Sequence, residues 1–455
     1  MSVPRVPWEL LDAIVQEVAD TPTLRAAALT HSWLRKPSQK SLFYKVIVHA
    51  AKSSRRTGMT RNNLASRLVT LLDESPDLAA YIKVLDFKFM DRPDYNAGVL
   101  LEILQRVSLR SCTLSSDAFN DWRDIHATHT LTILKALEAQ PLEEVSAMFQ
   151  SLPMYAVLRL ARCAPKVAIH AVYVAGMDPA VIYKPYLNRP RFAPPITHLR
   201  VSSNNVVDCD QVQLGDAHAH YLYALLGFPE FADDLATVRE LATDRLDGGM
   251  QTVLGACANS LEKLFIRGYR NPLRYPETCL RLGVLHTLEP WVDWSSDHAR
   301  SRARNVNPHP MGIEIWLEYT LPRLLNAHTT PALRKLVLSY SAIPRYREVF
   351  SRSDAEWNKH YLLDAQQAQT VDTLLDTHPN LPAIHFSIQK YGYRGRQYPT
   401  NTSARSAYDA DAGARSSDPP VFTLAECRAS ACRLLPLAHL KGSVSCEEYD
   451  GGYLL

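Results

Sequence analysis

Apolar side chains in the first fifty residues recur at helical spacing. Leu10, Leu11, Ile14, Val15 and Val18 form one broad apolar face, while Glu9, Asp12, Gln16 and Glu17 take the opposite side. Thr21 before Pro22 reads as an N-cap followed by a proline at the first helical position, opening a second helix through Leu29. Pro37 is read as the start of a third, short helix through Leu42 and Phe43, after which Lys45–His49 reads as a strand. A module of about forty residues is too small for a self-sufficient core, so it has to lean on its neighbour or on another protein.

The phrase Val6-Pro7-Trp8-Glu9-Leu10, followed by Ile14-Val15 and Val18 and then by Ser32-Trp33, resembles the F-box. Val6 stands where that family usually has Leu, and Thr30-His31 where it often has Val-Cys. The resemblance implies three helices that dock a Skp-family adaptor of cullin-based ubiquitin ligases. Carried onto this chain, the docking residues are Pro7, Leu10, Leu11, Ile14, Val15, Leu29, Trp33 and Leu34, which supply the apolar stripe and a bulky anchor. The competing reading is an ordinary helical cap on a larger domain.

Further along, Leu71-Leu72-Asp73-Glu74-Ser75-Pro76-Asp77-Leu78 and Leu374-Leu375-Asp376-Thr377-His378-Pro379-Asn380-Leu381 are one phrase written twice. In each, a helix ending in Leu-Leu meets a proline that cannot continue it. An apolar run follows, Tyr81–Phe87 in the first and Ala383–Ile388 in the second. Weaker echoes precede Ala171–Val174, Lys263–Ile266 and Lys335–Leu338. Leu261-x-x-Leu264-x-Ile266 and Leu333-x-x-Leu336-x-Leu338 match the Leu-x-x-Leu-x-Leu core of leucine-rich repeats, and the 72 residues from Asn259 to Pro331 are a multiple of about 24.

The middle of the chain therefore resembles the degenerate leucine-rich-repeat-like domains that follow many fungal F-boxes. The expected fold is α/β: a three-helix F-box-like module over residues 1–49, then an irregular solenoid with parallel strands over 50–390. Stacked units of this kind bury each other's apolar faces and leave an extended concave surface suited to gripping another macromolecule. A generic α/β domain with crossover helices is the alternative. Residues 391–420, rich in Gly, Ser, Arg, Asp and Thr, read as a linker or loop, and 421–455 as a C-terminal cap or tail.

Composition narrows the function. A chain of 455 residues with 46% hydrophobic content buries a large core, and 50 Lys+Arg against 47 Asp+Glu leaves a formal net charge of +3. That balance demands neither nucleic acid nor an anionic membrane as partner. The start Met-Ser-Val-Pro-Arg lacks a signal-peptide core, and no run of about eighteen apolar residues occurs, so a cytoplasmic or nuclear protein is expected. The eight cysteines form no Cys-x-x-Cys pair, which reads as free thiols and not as a zinc module.

Chemistry is sparse. The Walker, dinucleotide, nucleophile-elbow and His-Glu-x-x-His signatures are all absent. The best metal-like cluster is Asp208-Cys209-Asp210 with Asp216, His218 and His220, and it equally reads as a polar loop; His126 and His129 match no known motif. Two basic stretches, Lys52/Arg55/Arg56 and Arg300/Arg302/Arg304 near His298 and His309, read mainly as solvated loops. Trp291 and Trp294, upstream of the second, are candidate interface anchors or core residues.

The expectation is a non-catalytic substrate adaptor without metal or cofactor. It joins a Skp-family adaptor and cullin complex to an unknown protein target. The alternatives are a scaffold solenoid without ligase association and a hydrolase centred on Asp216, His218 and His220.

Overall fold

The computed structural model describes residues 7–18, 20–49, 64–89, 93–116, 122, 125–175, 194–202, 226, 231–243, 248–268, 280–292, 321–341, 365–378, 380, 382–390, 428–429, 431–433, 435–442 and 444–450. The chain divides into two compact units, residues 1–243 with 249–257, and residues 244–248 with 258–455. The N-terminal helices belong to the same unit as the first strands.

The first unit opens with α1 (Trp8–Gln16), α2 (Thr21–Thr30) and α3 (Ser32–Tyr44), where α1 and α2 both pack on α3. Two boundaries differ from the sequence reading. Asp20, not Thr21, caps α2: its backbone is extended and its carboxylate accepts the Thr23 N–H at 3.1 Å. The third helix starts at Ser32, five residues before Pro37. His31 is extended there, and its Nδ1 accepts the Trp33 N–H, which satisfies one of the orphan donors at the helix start. Pro37 is buried inside α3 at the loss of one backbone bond, a cost that packing outweighs.

From α3 the chain runs directly into β1 (Lys45–His49), the strand expected there. Then follow α4 (Leu64–Glu74), a 3-10 turn at Pro76–Ala80, β2 (Val84–Phe89), α5 (Pro93–Leu104), β3 (Ser111–Ser116), α6 (Ala127–Glu138), β4 (Glu144–Pro153), α7 (Met154–Leu160), β5 (Lys166–Ala175), β6 (His198–Ser202), α8 (Ala232–Leu235), β7 (Glu240–Thr243) and α9 (Gly248–Cys257). Pro76 ends α4 as expected, but β2 begins at Val84 and not at Tyr81, because the 3-10 turn and the residues after it occupy the intervening chain.

Strands β1–β7 are parallel, each paired with the next in sequence order. Register turns the one-dimensional pattern into rows. Leu85, Cys112, Val145, Val167, Leu199 and Leu241 stand side by side, and Phe87, Leu114, Ala147, Ile169 and Val201 form the next row on the same face; all are buried. In the alternate rows Asp86, Ser111, Glu144, Lys166 and Arg200 keep solvent contact, while Ala168 and His170 are buried. Parallel sheets are usually covered on both faces and apolar throughout. Here the period-two alternation leaves one polar face open, and successive helices α4 to α7 pack on one another along the array.

A third buried row lies just ahead of the strands: Ile82, Leu109, Leu142, Ala164, Ile196 and Val238. Each stands three residues before the first strand row, so the spacing apolar-x-x-apolar-x-apolar recurs before and through every strand from β2 to β7, with Thr243 as the one polar member. A shared carbonyl sets the phase. Arg110 and Ser111 both donate to the Lys83 carbonyl, Glu143 and Glu144 to that of Arg110, and Thr197 and His198 to that of Pro165, all at 2.7–3.1 Å. Gln140 braces one turn. It accepts the Leu109 N–H and donates to the Leu104 and Val107 carbonyls, satisfying three backbone groups between α5 and β3.

The second unit repeats the scheme with β8 (Lys263–Gly268), β9 (Thr287–Val292), α10 (Leu321–Leu324), β10 (Lys335–Ser341), α11 (Ala365–Thr377), β11 (Ala383–Lys390), α12 (Pro436–Leu440) and β12 (Val444–Asp450). All five strands are parallel and sequential. Leu261, Leu285 and Leu333 supply the row ahead of β8, β9 and β10, each fully buried. Paired positions Lys263, Thr287 and Lys335 show that the 72-residue interval holds two steps, of 24 and 48 residues, and not three equal ones. Residues 436–450, read as part of a cap or tail, contain a helix and a strand that extends the sheet beyond β11. Asp372 of α11 holds that helix: its carboxylate accepts the N–H groups of Leu437 and Ala438 at 3.0 Å each. Residues 391–420 lie outside the described residues.

Candidate docking surface

Residues 7–34 carry the expected docking side chains, and the three helices sort them by exposure. Leu10 and Ile14, one helical turn apart on α1, are 53% and 54% exposed. Leu29, in the last turn of α2, is 88% exposed, and Trp33, in the first turn of α3, is 48% exposed. Pro7 is exposed and Leu34 half-buried. Val15 differs: at 4% exposed it is core, turned into the module and away from solvent. The side chain of Leu11 lies outside the described residues.

Four of the ten large exposed apolar side chains among the described residues thus fall between positions 10 and 33. Isolated exposed leucines are ordinary; four large apolar exposures within one three-helix module make it the candidate surface. Around it, His31 packs edge-on to Trp33 with ring centroids 4.8 Å apart, which orients the indole while His31 caps α3. Lys40 pairs with Asp12 at 3.1 Å and ties α3 to α1 in solvent, where such a pair contributes little stability.

No protein-family model matches this chain, and no curated protein matches its sequence. The functional reading accordingly rests on the residues themselves.

The open face of β1–β7 is the second surface. Its rows mix signs, with Lys88, Lys166 and Arg200 against Asp86, Glu144 and Glu240. Toward the strand ends, the buried His170 meets Ser202 directly opposite, Nδ1 to Oγ. The second unit holds the same device: His385 Nδ1 lies 2.7 Å from Ser445 Oγ, again in register. Sequence inspection missed both pairs, because only strand register brings residues 32 and 60 positions apart face to face.

Candidate chemistry does not assemble. Among the described residues no three His, Cys, Asp or Glu side chains stand close enough to hold a metal ion, and no helix is long and apolar enough to cross a membrane. His126 caps α6, its Nδ1 facing the Thr128 N–H and hydroxyl, and its ring lies 6.5 Å from that of His129. Asp208, Cys209, Asp210, Asp216, His218 and His220, and both basic stretches, lie outside the described residues. So does Trp294, while the backbone of Trp291 sits within β9. Cys112, Cys163 and Cys257 are buried free thiols. Burial and the nearby Asp86 carboxylate push Cys112 up to about 12, so it is no nucleophile.

Proposed function

We propose that this chain is a substrate-recruiting adaptor of the F-box kind, whose α1–α3 module docks a Skp-family adaptor of a cullin-based ubiquitin ligase and whose repeat array holds the protein to be ubiquitinated. The observation that carries the reading is the exposed set Leu10, Ile14, Leu29 and Trp33 on a module whose inward residue Val15 is already buried. Such side chains in solvent are unfavourable until a partner covers them.

Two features support the second half of the reading. Apolar-x-x-apolar-x-apolar precedes and runs through eight of the nine strands β2–β10, β7 departing only at Thr243, which fits a degenerate leucine-rich-repeat-like array. Its polar open face extends across neighbouring strands, as a macromolecular grip requires. The role needs no catalytic group.

Copurification tests it. The full chain coexpressed with a Skp-family adaptor is expected to retain that adaptor, and Leu10→Asp or Ile14→Asp to lose it, since a carboxylate buried in an apolar contact costs several kcal/mol. Both positions are half in solvent, so the variants should melt with the wild type. Failure of the wild type to retain the adaptor, or full retention by Ile14→Asp, overturns the proposal and leaves a scaffold without ligase association.

A further inference from the structure

We infer that the partner of α2 and α3 is acidic at the contact: its carboxylates meet Arg25 and Lys36 while its apolar surface covers Leu29 and Trp33. The inference rests on the adaptor-docking reading and adds the partner's charge to it.

Charge is nearly balanced over the whole chain but not locally. Residues 21–72 hold ten Lys+Arg and no Asp or Glu, whereas the rest of the chain holds 40 against 47. Soluble surfaces ordinarily intersperse both signs. Residues 1–20 are the reverse, with Glu9, Asp12, Glu17 and Asp20 against Arg5. The module therefore joins an acidic α1 to basic α2 and α3.

The structure sets a cation beside each exposed apolar side chain of this basic stretch from α2 to β1. Arg25 stands one helical turn before Leu29 on α2, and Lys36 one turn after Trp33 on α3. Lys45 shares the open face of β1 with Ile47. All six side chains are exposed, as is Arg35. Lys40 reaches the Asp12 carboxylate of α1. Among the described residues, Arg25, Arg35, Lys36 and Lys45 pair with no carboxylate.

A partner that covers Leu29 and Trp33 brings its own rim against these cations, and carboxylates there satisfy them. Nucleic acid would supply phosphates but nothing aliphatic for Leu29 and Ile47, since its apolar contacts are stacked bases. A lipid surface takes one continuous apolar helix face, whereas these side chains are spread over two helices and a strand. A protein surface with an apolar centre and an acidic rim meets both demands. The acids of α1 repel such a rim, so charge also fixes which way the partner sits.

Stopped-flow association of the full chain with a purified Skp-family adaptor, at about 0.05 M and about 0.5 M NaCl, tests the inference. Wild-type association is expected to slow about fivefold at the higher salt, with dissociation little changed. Arg25→Glu and Lys36→Glu should each slow association about fivefold at low salt and much less at high salt. Leu29→Ala should instead speed dissociation, because it removes covered apolar area. Circular dichroism verifies that each variant is folded, and the wild-type salt dependence needs no variant. Adaptor binding whose rate ignores salt and both charge reversals overturns the acidic contact and leaves adaptor docking standing; no adaptor binding overturns both. A single-stranded oligonucleotide, or a vesicle containing phosphatidylserine, that displaces the adaptor from the wild type but not from Lys36→Glu would assign the cations to phosphate and overturn the acidic contact.

Discussion

Asp234→Ala should be among the most damaging single substitutions in the first unit. Arg162, in the turn after α7, and Asp234, in α8, are 3% and 1% exposed, and the guanidinium Nε and one terminal nitrogen each lie 3.0 Å from one carboxylate oxygen. The same guanidinium stacks on Phe231 at 4.4 Å from the ring centroid. Removing the carboxylate takes this ion-pair partner from a buried guanidinium, a penalty of about 3–5 kcal/mol. For a unit of this size that lowers the melting temperature by about 10 °C, at about 2–4 °C per kcal/mol. Replacing both residues, Arg162→Met with Asp234→Leu, removes the buried charge as well and should recover most of the loss, since a buried ion pair is worth little against apolar groups of similar volume. Thermal melts of the four proteins in the cycle measure the coupling. If Asp234→Ala melts within about 2 °C of the wild type, or the double variant is no better than the single, the pair is not the electrostatic tie described here.

Val15→Ala should cost about 2 kcal/mol by denaturant titration, from two buried methyl groups and the space they leave, while Leu10→Ala, half in solvent, should cost well under half of that. His378 is buried, its Nε2–H donating to the Thr330 carbonyl at 3.0 Å and its Nδ1 accepting the Asn380 N–H at 3.4 Å, which uses the neutral ring fully. Burial holds its pKa below 6.5, so as pH falls through 6.5 the unfolded chain takes up a proton that the folded chain refuses, and stability declines toward the lower folded pKa. Melts at pH 7.5 and 5.5 should show the decline, and His378→Gln should lessen it; an unchanged slope in the variant refutes the assignment. Cys112 should resist iodoacetamide at pH 8 in the native chain and react on denaturation, read by peptide mass; rapid native labelling would contradict its burial.

Local signals were legible in proportion to their strength. Helical spacing in residues 8–16 and the break at Pro76 follow from side-chain periodicity and the missing proline N–H, and both recur in the fold. Strands β1, β8, β10 and β11 announced themselves through short apolar runs. Strands β3 and β6 did not, because Ser111-Cys112-Thr113-Leu114 and His198-Leu199-Arg200-Val201 each place only two apolar residues inward, too few to stand out without their neighbours. The start of α3 was hidden for a different reason: an N-cap by a histidine ring nitrogen has no common sequence signature, so the more visible Pro37 drew the boundary.

The amino-acid sequence alone determined that the chain is α/β, which segments are amphipathic, and that residues 8–34 hold more apolar surface than a short module can bury. Periodicity is a property of neighbouring residues, so it survives without a fold. Tertiary structure decided which of those apolar residues remain outside, since Ile14 and Val15 are adjacent and alike in chemistry, yet one is half in solvent and the other buried. It also decided strand order, the rows shared by the recurring phrases, and the meetings of His170 with Ser202 and of Arg162 with Asp234. Those depend on register and packing between segments tens of residues apart, where the energy of a contact is set by what surrounds it and not by the identity of either partner.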